Sequence, residues 1–345
     1  MTVRIGLGLF TGQIPKGSGR TFAQEYHEVI ELTRLAETLG FDSVWVSEHH
    51  GSSDGYLPSC LPLLATLAEA SDHLLLGTGV VLTPFHHPLR LAEDAAVVDQ
   101  ISEGRLLLGL GLGWREEEFR MWGIPVSERV GRTTETVEIL RKAWTGERFS
   151  HEGKIFRFDD VLITPRPFQE PGVPIYLGGM VEPAIKRAGR LGDGYIRSRG
   201  DLQSAKQALA WAEEGARAAG KDPSGLRFAQ LQNAFPWEEG DAWEMVREGV
   251  AHQLGVYAGW RAGTDTPETP ELEVMPPPEE ELRAMTPAGD RHTVLRALRP
   301  LIEAFGSRKH FDLVVRLHYP GMNLDTAARA VELFGEEVLP GLKGA

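Results

Sequence analysis

The sequence predicts an α/β chain folded as a closed (β/α)₈ TIM barrel, a single domain over residues 1–345. Eight short apolar runs rich in strand-forming residues alternate with stretches of helical period. Alternation of this kind calls for parallel strands joined by right-handed crossovers, and eight units in one chain favour closure over an open doubly wound sheet. At 345 residues and 42% hydrophobic, the chain is long and apolar enough for such a core.

The predicted strands are Val3 to Phe10, Ser43 to Ser47, Leu74 to Leu82, Leu106 to Leu110, Ile175 to Leu177, Gly194 to Ile196, Phe228 to Asn233 and Asp312 to Leu317. After the first strand, Tyr26, Val29, Ile30, Leu35 and Leu39 keep one helical face, and Gly40 is placed to end that helix. Similar patterns run from Leu91 to Ile101, Thr134 to Trp144, Pro183 to Leu191, Arg291 to Phe305 and Leu324 to Phe334. Two stretches break the repeat. Residues 149–174 read as a strand pair with a Pro-rich return. Residues 237–287 contain Pro-Glu-Thr-Pro-Glu and Pro276-Pro277-Pro278-Glu279-Glu280-Glu281, a composition that packs poorly. The sequence leaves this second excursion open between a lid and a solvated surface insertion.

Composition excludes several classes of function. A net charge of -13 without any basic tract argues against nucleic acid and against an anionic membrane surface. A single cysteine, Cys60, can form neither an intramolecular disulfide nor a thiolate metal cluster, which fits a reducing compartment. No signal-peptide pattern and no membrane-length apolar run is present, so the expected location is the cytoplasm.

Residues at the C-terminal ends of barrel strands face the site where such barrels bind ligands. Glu48, His49 and His50 follow the second strand there, and histidine is the side chain best suited to proton exchange near neutral pH. The residues alone leave a catalytic and a structural histidine equally open. Gly79 and Val80 end the third strand, where a glycine permits a bulge or the close approach of a planar ligand. Gly109, Gly111 and Gly113 lack the spacing of a dinucleotide fingerprint. Gly215 to Lys221 has phosphate-loop spacing, but Asp222 stands where that motif needs a hydroxyl. Gly178-Gly179-Met180, between a strand and a helix, is the best phosphate cradle, with Arg197 or Arg199 to offset the charge of Glu182. His86 and His87 lack metal-ligand spacing, and no metal is expected. Trp114, Arg115 and Glu118 could line a pocket, although the triple acid Glu116 to Glu118 reads more simply as a solvated helical turn. Arg316, His318 and Tyr319 sit on the ligand side of the eighth strand.

The run Asp99 to Phe119, together with Glu48-His49-His50, His87-Pro88-Leu89-Arg90, Gly178-Gly179 and Gly192-Asp193-Gly194-Tyr195, resembles the bacterial luciferase-like family of flavin-dependent oxidoreductases. The resemblance covers Ile5 to about Ile196 and, more loosely, Asp312 to Pro340. It independently implies the same barrel, holding FMN, and a monooxygenase in which reduced FMN and O₂ give a flavin hydroperoxide that oxygenates a small organic substrate. It further implies catalysis by His49 with Glu48 as orienter, and a bulge with a non-prolyl cis peptide at Gly79-Val80. The implied cofactor contacts are Gly79, Val80, Gly111, Gly178, Gly179 and Met180. His50, Trp114, Arg316 and His318 are the substrate-side candidates. With no nicotinamide fingerprint in the chain, a separate flavin reductase is expected as partner, and family resemblance implies a homodimer. The alternatives are hydride transfer with the deazaflavin F420 and a non-catalytic flavin-binding protein.

Overall fold

The computed structural model describes residues 3–198, 200–263 and 274–344. The chain begins β1 (Arg4–Phe10), α1 (Phe22–Thr38), β2 (Ser43–Val46), α2 (Cys60–Glu69), β3 (Leu75–Thr78), β4 (Val81–Leu82), α3 (Pro88–Ile101), β5 (Leu106–Gly111), α4 (Glu116–Met121) and α5 (Arg129–Ala143). A hairpin of β6 (Phe149–Glu152) and β7 (Arg157–Val161) follows, then β8 (Ile175–Gly178), α6 (Glu182–Leu191), β9 (Gly194–Arg197), α7 (Leu202–Ala218) and β10 (Arg227–Asn233). The remainder is β11 (Phe235–Pro236), α8 (Ala242–Ala262), α9 (Glu279–Met285), β12 (Ala288–Gly289), α10 (Arg291–Phe305), β13 (Phe311–Arg316), α11 (Leu324–Leu333) and α12 (Leu339–Lys343).

Among the described residues, β1, β2, β3, β5, β8, β9, β10 and β13 pair in parallel around a closed barrel, with β4 continuing the line of β3. All eight apolar runs therefore become barrel strands, and β6 and β7 form the expected antiparallel pair. Five of the described helices start at a side-chain cap. Thr21 and Gln24 form a capping box on α1, and Asp201, Asp241, Asp290 and Asn323 cap α7, α8, α10 and α11. None of the helices among the described residues is long and apolar enough to cross a membrane.

The barrel interior is plugged by Trp45, whose ring meets Tyr176 edge-on at 6.1 Å and packs with Leu107, Ile196, Ala229 and Val314. So large a side chain fits only because its neighbours are glycines. A Cβ at Gly77 would lie 2.2 Å from the indole ring, and one at Gly6 would lie 2.4 Å from the Ser43 hydroxyl that accepts the indole N–H. Glycine does the same outside the barrel, where Gly189 and Gly215 let α6 and α7 touch backbone to backbone. Gly215, which opens the phosphate-loop-like spacing, is thus a helix-packing residue.

The third strand is interrupted. From Gly77 to Val81 the chain advances four residues while its partner advances three, Leu107 to Leu110, so one residue is extruded as a bulge. The Gly79–Val80 peptide within it is cis. Thr78 stands in for the missing ladder: its hydroxyl donates to the Gly109 carbonyl at 2.8 Å and accepts from the Gly109 amide at 2.7 Å. The alternating glycines of β5 follow from this, since a Cβ at Gly109 would meet the Thr78 carbonyl at 2.0 Å and one at Gly111 would meet Val80 at 2.4 Å.

The 237–287 excursion differs from its reading as poorly packing sequence. Residues 242–262 form a 21-residue helix, α8, that buries Trp243, Val246, Val250, Leu254 and Trp260. Of the two stretches on which the lid reading rested, Pro-Glu-Thr-Pro-Glu lies outside the described residues, while Pro276 to Glu281 is described and leads into α9 at Glu279.

The Trp45 plug gives a direct test. Gly77→Ala is expected to lower stability by about 1–3 kcal/mol through overpacking. Pairing it with Trp45→Leu should recover part of that loss. Denaturant midpoints of the single and double variants check both outcomes.

Candidate active site

Two adjoining cavities open at the C-terminal ends of the barrel strands, one of about 450 Å³ and one of about 230 Å³. Gly79, Val80, Gly111, Gly178, Gly179 and Met180 all line the larger, so the structure gathers the six expected cofactor-side residues onto one wall. At its far end α6 begins without a side-chain cap, leaving a helix N-terminus open to an anion. Gly179 packs so closely on this turn that a Cβ would lie 3.0 Å from Ala184.

Of the two cations expected at this end, one is engaged elsewhere and a further one is present. Arg197 donates to Ser204 at 2.7 Å and to Gln230 at 3.1 Å, which commits it to the scaffold, and Arg199 lies outside the described residues. Arg129, at the start of α5, lines the cavity instead. Ser198 reaches the same wall and touches the Met180 sulfur at 3.2 Å, supplying the hydroxyl that Met180 lacks.

Glu48 is buried and its Oε1 accepts three hydrogen bonds, from His50 Nε2 at 3.0 Å, His86 Nε2 at 2.9 Å and the Leu82 amide at 3.1 Å. Burial by itself would raise its pKa, but the two histidine hydrogen bonds and their charge outweigh burial and hold the carboxyl at about 2. His86 is raised in turn, its bond to Glu48 outweighing its own burial. Glu48, His50 and His86 present ligand-type atoms within 4.8 Å of one another, joined here by hydrogen bonds.

His49 is oriented by a different acid from the one its neighbours suggest. Its Nδ1 lies 2.8 Å from Glu118 Oε1, the same oxygen that accepts the His50 amide at 2.8 Å. Glu48, expected to orient His49, is taken up by His50 and His86. With Nδ1–H donated to Glu118, Nε2 is the ring nitrogen left to exchange a proton. Around the imidazole stand Tyr56 at 4.8 Å, Trp260 at 4.7 Å, Tyr257 at 5.4 Å and Trp114 at 6.4 Å. Arg115 braces this box, donating to the His50 carbonyl at 2.6 Å and lying over Trp260.

The remaining expected residues separate into two groups. Trp114 and Arg316 line the cavities. His50 and His318 line neither. His50 is wedged between Phe85 and Trp122, while His318 is buried behind Phe10, its pKa pushed down to about 3 by burial and then by Arg316 and Arg20. Both are scaffold residues rather than substrate-side groups.

Residues 4–306 match the family model described as luciferase-like monooxygenase. The chain belongs to the luciferase-like monooxygenase family. Within it, the chain is 30% identical to an F420-dependent glucose-6-phosphate dehydrogenase of Nakamurella multipartita over 92% of each sequence. It is 34% identical to the oxygenase component of a flavin-dependent trigonelline monooxygenase of Acinetobacter baylyi over 46% of this chain and 44% of that one. Among solved structures, monooxygenase RslO1 of Streptomyces bottropensis superposes with a TM-score of 0.82 at 26% identity, covering 98% of this chain and 99% of that one. The luciferase-like family uses both FMN and F420, and its members are oxidoreductases, so the chain is read as an enzyme of that kind.

Sequence reasoning named Glu118 only as a possible pocket residue, with a solvated turn as the simpler reading, and missed Arg129, Tyr257 and Trp260. Glu118 had one signal, its place one turn into a helix at the end of a barrel strand. The other three are joined to the site only by the fold.

Because Glu48 has a folded pKa below its ordinary 4.5, its stabilisation is present above pH 4.5 and is lost as pH falls toward 2. Glu48→Gln is expected to cost on the order of 3 kcal/mol near neutral pH. The acid limb of the stability curve between these values should flatten in the variant, as read from denaturant midpoints across pH.

Proposed function

We propose that this enzyme is a flavin-dependent monooxygenase that uses reduced FMN and O₂ to oxygenate a small organic substrate, with a separate reductase supplying the flavin. The observation that carries this reading is the aromatic wall of Trp114 and Tyr257 beside His49 in the larger cavity, backed by buried Tyr56 and Trp260, a surface suited to a planar or apolar substrate. The larger cavity also fits FMN in its chemistry. Glycines and Val80 offer a flat face, while Arg129 and the open start of α6 offer a phosphate site.

Bound reduced FMN would supply the activation of oxygen. The chain's own residues do the rest. Arg129 and the backbone at the Gly178-Gly179 turn would hold the phosphate, the β3–β4 bulge would support the ring, and Trp114 and Tyr257 would shield it from water. His49, held by Glu118, takes up or releases a proton at Nε2. The proposal includes a homodimer, which light scattering of the purified chain tests.

A second reading, hydride transfer with F420, is favoured by the full-length similarity to the F420-dependent dehydrogenase. Mixing the protein, loaded anaerobically with reduced FMN, with oxygenated buffer separates the two. Reoxidation much slower than that of free reduced FMN supports oxygenation. Reoxidation as fast as free flavin, together with tight F420 binding and F420 reduction, overturns it.

Arg129→Ala should weaken FMN binding about tenfold, by loss of a charge-assisted contact, and Arg197→Ala should leave it within about twofold. Fluorescence titration of FMN measures both. His49→Ala and Glu118→Ala should keep FMN affinity while lowering oxygenation about 100-fold. Unchanged turnover in His49→Ala would remove His49 from the reaction, whereas tight FMN binding by the wild-type protein with no turnover at all would leave a protein that binds flavin without catalysis.

A further inference from the structure

The smaller cavity has a character of its own. It shares Gly79, Met180, Ser198 and Tyr257 with the larger one, so anything held in it lies against the proposed flavin face. Arg316 and Arg261 line it, and no carboxylate does. In a protein of net charge -13 that is a marked local excess of positive charge.

Arg316 ends β13 and is 5% exposed, yet its Nη1 is buried without a hydrogen-bond partner, and no ion pair among the described residues involves its guanidinium. Its neighbours do not neutralise it. His318 is kept uncharged by burial, and Glu25 beyond it is paired with Arg20. An isolated buried guanidinium is costly, and a partner that brings a negative charge removes that cost. Ser47 adds a hydroxyl that accepts from Tyr56 at 3.2 Å and so keeps its own hydrogen to donate, while the unpartnered oxygen of buried Gln253 is an acceptor and calls for a donor elsewhere on the ligand.

Beside these polar groups stands the aromatic wall. Tyr257 lines both cavities, lies nearly parallel to Trp114 at 6.4 Å, and shares a hydrogen bond of 2.9 Å with Tyr56. One end of the combined space suits a planar apolar body, and the other suits an anionic oxygen.

We infer that Arg316 is the anchor for an acidic group on the substrate, and that the substrate is a small aromatic or cyclic acid bound with its ring along Trp114 and Tyr257 and its carboxylate on Arg316. This rests on the proposed oxygenase reading for the reaction, but the anion site itself does not require it. The same guanidinium chemistry would also suit the negatively charged pyrimidine edge of reduced flavin, and the test separates the two sources.

The test uses benzoate and benzamide, equal in ring and differing in charge, titrated calorimetrically into the wild-type protein with and without FMN and into Arg316→Met and Arg316→Lys. Benzoate is expected to bind at least about tenfold more tightly than benzamide to wild type. Arg316→Met should abolish that preference, and Arg316→Lys should restore part of it. Equal affinity of wild type for the two probes overturns the proposal, and this arm stands even where a variant does not fold. An unchanged benzoate preference in Arg316→Met, with weakened binding of reduced but not oxidised FMN, also overturns it by assigning Arg316 to the flavin. An intact benzoate preference in a protein that binds no FMN would leave the anion site standing and remove the oxygenase reading instead.

Discussion

The hydroxyl of Thr78 replaces two ladder hydrogen bonds of the barrel, and the architecture of the site depends on that substitution. It allows the third strand to bulge without leaving the buried Gly109 amide and carbonyl unsatisfied. The bulge turns Val80 and Gly79 toward the mouth and sends the Leu82 amide to Glu48, while the Glu48 amide returns to the Val80 carbonyl at 3.3 Å. Glu48 in turn fixes His50 and His86, and the backbone between Glu48 and His50 carries His49 to Glu118. A one-residue irregularity in one strand is thus coupled, bond by bond, to the placement of His49.

The fold was largely legible in the sequence because each element of it is a local pattern. Apolar runs of strand length mark all eight barrel strands, and helical spacing marks α1, α3 and α10 without any knowledge of what they pack against. The reason for the glycines was not legible. Gly109 and Gly111 read as an imperfect nucleotide fingerprint, and only the close approach of β3 and β4 shows that they clear space for Thr78 and Val80. The helix α8 was obscured by the Pro- and Glu-rich sequence after it, although Trp243, Val246, Val250 and Leu254 keep helical spacing.

The site was legible at its strand ends and obscure elsewhere. Glu48, His49 and the Gly178-Gly179 turn are adjacent in sequence to strands that announce themselves. Glu118 is 69 residues from the histidine it orients and stands in a run of three acids of which it alone is buried. Its neighbours, exposed on α4, give the run the look of a solvated turn. Charge in this protein is similarly divided. The acidic surplus lies mainly on the surface, whereas Arg115, Arg129 and Arg316 concentrate positive charge around the barrel mouth.

The helix α8 packs on the barrel through its apolar face and two polar clasps, His252 to Asp54 at 2.9 Å and Tyr257 to Tyr56 at 2.9 Å, and it carries Gln253, Tyr257 and Arg261 to the cavities. The proposed cofactor wall and proton-exchanging group belong to the strand ends and to α4, α5 and α6. The two sets meet at His49, which packs on Tyr257 and Trp260 of α8. A lineage that rewrites α8 reshapes one side of the substrate space, while Arg316, Trp114 and the cofactor wall stay with the barrel.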